Sequence, residues 1–271
     1  MSLGVLNNIA AVYASNNLNQ TQLGLQNTLE QLSSGQRINS GADDAAGLSL
    51  ADDLTASSTA LSQSSSNADE GVDFLQVADG ALSQITSLLN RAVTLATEAS
   101  NGTLNTSQIT AANAEYLNIQ TEITDISSDT EYNGLNVFTS AANVYTSDGT
   151  LGQSYDTTAL GATDAATLGL TAAGFTSASS AQTEESLITA AISTVAATRG
   201  TAGADINQLQ AVANVESTES TNTLSAENDV IATNYASATS SLSKYEILNQ
   251  AGISALAQAN SAQQEVTKLL Q

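Results

Sequence analysis

Apolar residues recur three and four positions apart through most of the chain, a spacing that predicts long amphipathic helices. The strongest stripe ends just before Asn101-Gly102, a pair that suits a helix C-terminus. The absence of proline also favours long helices, because proline removes a backbone donor and clashes with the preceding turn. The members of this stripe are Val72, Leu75, Ala78, Leu82, Ile85, Leu89, Ala92, Leu95 and Ala99.

Two more inner helices are predicted by the same spacing. One begins near Thr106 and stops before Asn133-Gly134. The other begins after Ser180, where the positive end of the helix dipole would stabilise the charges of Glu184 and Glu185. Their apolar positions are Ile109, Ala112, Tyr116, Ile119, Ile123 and Ile126 in the first, and Ile188, Ile192, Val195, Ile206, Leu209 and Ala213 in the second.

Both ends of the chain carry a helical stripe that continues for several heptads. Such a repeat indicates a coiled-coil seam, and the alternative is an amphipathic helix packed on its own core. The other faces carry Asn, Gln, Ser and Ala, and no charged residue precedes Glu30, so we expect contact with protein on more than one side. The stripe positions are Leu6, Ile9, Ala10, Tyr13, Leu18, Leu25 and Leu32, and then Leu242, Tyr245, Leu248, Ala251, Ala255, Ala259, Ala262, Val266 and Leu269.

The helical periodicity fails between residues 135 and 183, where Gly, Ser, Thr and Asp dominate. Residues 143–145, Asp148-Gly149 and Leu151 read as a short hairpin. Residues 167–171 read as another strand. The sequence therefore predicts a small β patch leaning on the helices, and partial disorder of this segment is the alternative.

Composition removes several functional classes. The chain has no His and no Cys, so imidazole bases, thiol nucleophiles and the usual zinc ligands are missing, and we expect neither an enzyme nor a cofactor. The net charge of −22 argues against nucleic acid and against anionic membrane surfaces. Apolar runs are too short for a membrane span, and the start lacks a conventional signal peptide.

A polar connector joins the first helix to the inner helices at residues 32–47. Gly35 can end the first helix, and Ser40 and Asp43 have the spacing of a capping box for the next helix. Asp44 would add favourable charge to the first turn, and Arg37 is the lone base of the segment. The two aspartates, with Asp52-Asp53, lack an EF-hand pattern, so a structural role is favoured over a metal site.

Several stretches, in order along the chain, closely resemble the bacterial flagellin family. They cover residues 3–140 and 185–271 and leave the middle unmatched. The stretches are Leu32-Ser-Ser-Gly-Gln-Arg-Ile-Asn-Ser-Gly-Ala-Asp-Asp-Ala-Ala-Gly47, Asn67-Ala-Asp-Glu-Gly71, Tyr132-Asn-Gly134, Ile247-Leu-Asn-Gln-Ala-Gly-Ile-Ser-Ala-Leu-Ala-Gln-Ala-Asn260, Val266 and Leu269-Leu270.

The resemblance implies a mostly α subunit that self-assembles into the flagellar filament for swimming. It implies filament-core helices at 1–39 and 232–271, a helical rod formed by 40–140 and 181–231, and a short variable β segment at 141–180. The subunit would be secreted unfolded through the flagellar export channel. Its partners would be other copies of itself, the export machinery and chaperone, the filament cap and the hook-associated proteins.

Other readings stay open beside the filament subunit. A hook–filament junction protein has ends similar to those of flagellin. A non-polymerising adhesin on a helical stalk is a second alternative, and a metalloprotease insert, which some flagellins carry, lacks its histidines here. Arg91, Leu95 and Glu122 match positions by which family members resemble targets of the vertebrate Toll-like receptor for flagellin. Acids at 52–53, 227 and 229 stand where the family often carries basic residues.

Overall fold

The described residues of the computed structural model form five helices and two short hairpins. The structure describes residues 8–141, 143–147, 153–156, 160–170 and 173–269. The elements, in chain order, are α1 (Ile9–Ser34), α2 (Ala45–Ser100), α3 (Thr106–Asp129), β1 (Glu131–Tyr132), β2 (Leu135–Asn136), β3 (Asn143–Thr146), β4 (Gln153–Asp156), α4 (Ala178–Ile231) and α5 (Tyr235–Leu269). The mostly α fold class expected from the periodicity is confirmed.

The chain divides into two compact units, whose boundaries fall within α2 and α4. Residues 1–55 and 223–271 form one, here called the terminal unit, and residues 56–222 form the other, here called the central unit. Each brings together parts of the chain that are far apart in sequence.

The core of the central unit is the aliphatic stripe of α2, packed against α3 and α4. All nine stripe positions predicted between residues 72 and 99 are buried. Two aromatic contacts extend this core: Tyr116 stacks on Phe175 with ring centroids 5.2 Å apart, and Phe74 meets Tyr132 edge-on at 6.1 Å. The predicted apolar faces of α3 and α4 join the same core, so the period of three and four located the buried faces correctly.

Local chemistry ends and begins the inner helices. Asn105 caps α3, and its side chain and that of Gln108 satisfy each other's backbone amides as a capping box. After α3, Asn133 and Gly134 take positive φ angles of 51° and 78°, as a type I′ turn requires. This turn joins β1 to β2 in an antiparallel hairpin that the periodicity did not predict, although it placed the end of the helix there.

The second hairpin confirms the predicted one, with a different second strand. β3 pairs antiparallel with β4, and Asn143 faces Asp156 in the register. The predicted second arm at Leu151 lies outside the described residues. β3 packs closely on α2. A Cβ added at Gly71 of α2 would lie only 2.6 Å from Val144 Cγ2 of β3 and 3.0 Å from Leu209 Cδ1.

The strand predicted at residues 167–171 is wrong. Residues 164–169 form a helical turn capped by Asp164, whose carboxylate accepts a hydrogen bond from the Thr167 hydroxyl. Gly169, with φ of 79°, closes the turn, and the amide of Leu170 donates to Ala165 O at 3.0 Å. This is a Schellman motif, in which the left-handed glycine was the decisive signal. Thr171 lies outside the described residues.

The start of α4 also differs from the expectation. The helix begins at Ala178, and the hydroxyl and carbonyl of Ser177 accept the amides of Ser180 and Ala181. Glu184 is therefore past the first turn and is buried, and it accepts a hydrogen bond from the hydroxyl of Tyr116 at 2.5 Å. A helix-dipole role for this carboxylate is wrong.

Two glycines of α2 give a matched test of the packing of β3. Gly71→Ala should lower the free energy of unfolding by about 1–3 kcal/mol, because the added methyl overpacks the contact with Val144 and Leu209. A methyl group added at Gly80 would meet nothing within 4 Å, so Gly80→Ala should raise stability by up to about 1 kcal/mol through helix propensity. Urea unfolding followed by circular dichroism measures both, and equal effects would contradict the close contact.

Candidate assembly surface and connector

The terminal unit is built on an antiparallel pair of helices, α1 and α5. Asn8 Nδ2 donates to Ala259 O at 3.0 Å near the start of α1, and Gly24 lies beside Tyr245 further along. The less exposed positions of each helix recur in heptads. The positions that keep this spacing are Ala11, Ala14, Leu18, Thr21, Leu25, Thr28 and Leu32 on α1, and Ala238, Leu242, Tyr245, Asn249, Gly252, Leu256, Ala259 and Gln263 on α5; Ser15, Gly24, Gln31 and Ser241 beside them are also partly covered.

Small residues allow the two helices to approach closely. A Cβ at Gly24 would lie 2.6 Å from ring atoms of Tyr245, and one at Gly252 would lie 3.2 Å from Leu18 Cδ1. A large side chain on one helix thus meets a glycine on the other at two places. Glycine therefore shapes this seam as much as leucine does, because it leaves room for the large side chain opposite. A pattern of apolar positions alone does not reveal these glycines.

The observed seam contains only part of the predicted stripe, and the other predicted positions lie elsewhere on the helices. Leu18, Leu25 and Leu32 lie on the less exposed face of α1, and Leu242, Tyr245 and Ala259 lie on that of α5. Other predicted stripe positions lie on exposed faces, because the seam uses Gly, Thr, Asn and Gln where the most apolar residues were expected. These exposed positions are Ile9, Ala10, Tyr13, Leu248, Ala251, Ala255 and Ala262.

Three predicted positions cannot be assigned to either face. Leu6 lies outside the described residues. Val266 and Leu269 belong to α5 by their backbone, and their side chains lie outside the described part. The assembly role of the whole set stays a prediction.

Large apolar side chains are exposed on both helices of the pair. Tyr13 is 67% exposed and Ile247 is 69% exposed. Exposed apolar patches mark interaction surfaces, and these side chains all belong to one pair of helices. We call this set the outer apolar face; its members are Ile9, Val12, Tyr13, Leu23 and Leu29 on α1, and Ile247, Leu248 and Ile253 on α5.

The connector is held by contacts with the chain that joins α4 to α5. Gly35 ends α1 in the left-handed conformation, with φ of 75°. The amide of Arg37 donates to Ile231 O at 2.6 Å, and its guanidinium donates to Val230 O at 2.7 Å. These carbonyls lie at the C-terminus of α4, where a cation also complements the helix dipole. Arg37 is therefore a cap supplied from a distant part of the sequence.

The predicted capping box at Ser40 and Asp43 is wrong in its details. Asp43 Oδ2 accepts from the amides of Asn39 and Ser40, at 3.1 and 2.9 Å, and the Ser40 hydroxyl donates to the same oxygen at 3.0 Å. These hydrogen bonds, with that from the Ser40 hydroxyl the largest, lower the pKa of Asp43. Because α2 begins at Ala45, the Ser40 hydroxyl lies outside its first turn and does not cap it.

Asp44 is the residue that starts α2. Its Oδ1 accepts from the amides of Ala46 and Gly47 at 3.2 and 2.9 Å, as an N-cap does. A Cβ at Gly47 would lie 2.6 Å from Asp44 Oδ2 and 2.7 Å from Ile38 Cδ1, so a larger residue here would require the side chains of Asp44 and Ile38 to shift. Both aspartates are committed to the backbone. In the described ranges, no group of three or more His, Cys, Asp or Glu side chains is placed to hold a metal ion.

The three residues predicted for receptor recognition are placed differently from one another. Leu95 is only 3% exposed and belongs to the core, so its side chain cannot contact a receptor on this surface. Arg91 is exposed and forms an ion pair with Glu115 at 2.8 Å. Glu122 is exposed on α3. Burial of Leu95 argues against direct contact by that side chain, and the recognition role of the three residues stays a prediction.

Comparisons with known proteins agree with this arrangement. Residues 5–143 match the bacterial flagellin N-terminal helical region, and residues 186–270 match the bacterial flagellin C-terminal helical region. The chain is 30% identical to a flagellin of Listeria monocytogenes, over 97% of this chain and 98% of that relative. It is also 30% identical to the flagellar filament 33 kDa core protein of Treponema phagedenis, over the same shares of the two chains.

Other matches cover less of the sequence. Flagellin 1 of Proteus mirabilis is 42% identical over 48% of this chain, and the match spans 36% of that relative. The crystal structure of Bacillus cereus flagellin, 28% identical, superposes with a TM-score of 0.48 over 55% of this chain and 88% of that one.

Paired end helices and a central unit of long helices are the arrangement expected of a structural filament protein, and the matching family is one of structural proteins. The chain belongs to the bacterial flagellin family and is a structural subunit of the flagellar filament. The relatives named above are flagellins or filament proteins, and nothing favours a hook–filament junction protein. No helix within the described residues is long and apolar enough to cross a membrane.

Replacing the α2 cap should loosen the connector locally. Asp44→Ala removes the acceptor for the amides of Ala46 and Gly47, so we expect a loss of about 1 kcal/mol in the stability of the first turn. Asp53→Ala removes an equal charge from an exposed position of the same helix and serves as the control. Amide hydrogen exchange of residues 46–48 measures the effect, and the same exchange rates in both variants would show that Asp44 is not the cap.

Proposed function

We propose that copies of this chain polymerise through the outer apolar face, on which α1 and α5 carry large exposed apolar side chains and few charges. The single observation that supports this most strongly is the exposure of Ile9, Tyr13 and Ile247 on a helix pair whose own seam is already filled. A face of this kind gains free energy when a neighbouring subunit covers it. The predicted positions Leu248 and Ala255 lie on the exposed sides of α5, where they would take part.

We propose the finer partners by analogy with the family. The chain is secreted through the flagellar export channel and adds to a filament outside the cell. On that path it meets the export machinery, an export chaperone, the cap and the hook-associated proteins.

Recognition of the monomer by the vertebrate Toll-like receptor for flagellin rests here on Arg91 and Glu122 without Leu95, so we expect it to be weak. A reporter-cell titration of wild-type chain against Arg91→Ala tests that site.

Polar substitution on the outer apolar face tests the polymerisation surface. Ile247→Gln removes an apolar side chain whose full burial contributes about 1.5–3 kcal/mol, so the critical concentration for polymerisation should rise roughly tenfold or more. Leu135→Gln, at an exposed apolar position of β2, is the matched control and should leave it unchanged. Sedimentation of seeded filaments over a range of protein concentrations gives both values. An unchanged critical concentration for Ile247→Gln would contradict the proposed surface.

Assembly should also respond to salt and to pH, because each subunit carries a net charge of −22. Acidic surfaces brought side by side repel one another, and salt screens charges over about 8–10 Å near physiological ionic strength. Bringing carboxylates together raises their pKa, so assembly takes up protons and is favoured as pH falls towards about 5. Light scattering of seeded growth should show faster polymerisation on adding salt. Slower growth at high salt, or filaments dissolved by a chelator alone, would argue for specific ion bridges instead.

A further inference from the structure

Two carboxyl groups of the central unit are buried, those of Glu184 and Glu216, and Glu216 has no cation beside it among the described residues. Glu216 lies on the inner face of α4 and is 7% exposed. Its Oε1 accepts a hydrogen bond from the hydroxyl of Ser64 on α2 at 2.6 Å. Its Oε2 is buried and has no hydrogen-bond partner in the described part of the chain. An acceptor left in this state costs free energy when it is charged, because it has lost its water and gained only one donor.

The same hydroxyl connects Glu216 to the second hairpin. The amide of Ser147, directly after β3, donates to Ser64 Oγ at 2.8 Å. Ser64 is itself 2% exposed. The chain of hydrogen bonds thus runs from the hairpin through α2 to α4. The same donors can serve whether Glu216 is ionised or neutral. In the neutral acid the proton can sit on Oε2, and Oε1 still accepts from Ser64.

No positive charge of the central unit compensates this carboxylate. The sequence of that unit contains only two bases, and each is paired elsewhere, Arg91 with Glu115 and Arg199 with Asp79. On its own helix, Glu219 adds a like charge.

The other elements near Glu216 bring no base either. On α2 the acids after Ser64, Asp69 and Glu70, are exposed, and β3 has no ionisable group except Tyr145. Every ionisable neighbour therefore either repels a charged Glu216 or leaves it uncompensated.

We infer that Glu216 is a proton-dependent stability switch of the central unit, which makes this unit more stable in mildly acidic solution than at neutral pH. Burial raises the pKa of Glu216, the hydrogen bond from Ser64 lowers it, and Glu219 raises it, with a net shift upwards. The folded chain then holds a proton that the unfolded chain releases near pH 4.3. The contribution of Glu216 to stability is therefore greatest below that value and is lost as pH rises through its folded-state pKa.

This switch has a consequence that rests on the proposed export of an unfolded chain. A buried carboxylate that opposes folding at neutral pH makes the central unit easier to unfold there. The second hairpin is connected to Glu216 through Ser147 and Ser64. We therefore expect this hairpin to separate from α2 when the central unit loses stability. The test below concerns stability alone, so its failure would leave the proposed export and assembly untouched.

A comparison of two glutamate variants tests the switch. Glu216→Gln mimics the neutral acid, so its urea midpoint should exceed that of the wild-type chain at pH 7 and approach it at pH 5. Glu122→Gln changes an exposed glutamate of α3 in the same way and controls for the general effect of removing one charge. It should keep the wild-type change of midpoint between the two pH values. A Glu216→Gln variant that also keeps that change overturns the proposal.

A measurement on the unaltered chain covers the case in which a variant fails to fold. Carbon-13 NMR of the Glu216 carboxyl should show a titration midpoint above that of the same residue in the urea-unfolded chain. Ser64→Ala removes the hydrogen bond that stabilises the charged form, so it should move the folded-state midpoint higher still. A midpoint equal to that of the unfolded chain overturns the inference.

Discussion

The pairing of α1 with α5 is the contact on which the terminal unit depends. It joins residues as distant as Asn8 and Ala259, which are 251 positions apart. Bringing such distant segments together costs loop-closure entropy, and that cost must be offset along the whole seam. The seam does this with interlocking pairs, in which Tyr245 meets Gly24 and Leu18 meets Gly252, rather than with a thick aliphatic core. The large apolar side chains are left on the outside, where a neighbouring subunit can cover them.

The two units treat their few positive charges differently. In the central unit both arginines form ion pairs across elements, Arg91 with Glu115 and Arg199 with Asp79. In the terminal unit Arg37 is used instead as a hydrogen-bond donor to the carbonyls that end α4. An arginine in this role holds a backbone turn and needs no carboxylate. The chain has 27 acids and 5 bases. Because Arg37 does not pair with Asp43 or Asp44, both carboxylates accept hydrogen bonds from backbone amides of the connector instead.

Much of the fold could be predicted from periodicity, because a buried face of α2 must repeat every three or four residues. The same reasoning failed where small or polar residues made the contact. It placed Ile9 and Leu248 in the seam, since a single helix does not reveal which of two apolar stripes meets its partner. It took residues 167–171 for a strand, because alternation over five residues is short enough to fit a capped turn with Gly169. Leu95 was assigned to a surface site by resemblance, whereas its place in the α2 stripe already indicated burial. Glu216 carried no signal in the sequence, since an acid on a helix is usually solvated.

The bridge between residues 35–37 and 231–233 has a consequence for synthesis of the chain on the ribosome. Until Thr233 and α5 have been translated, α1 has no helix to pair with and its connector has no carbonyls to hold. At about 5–20 residues per second, the first helix waits roughly 10–50 seconds for its partner. Throughout that interval the nascent chain presents the residues of α1 as an unpaired segment with almost no charge. Such a segment is available to any chaperone that reaches it before the last helix is made.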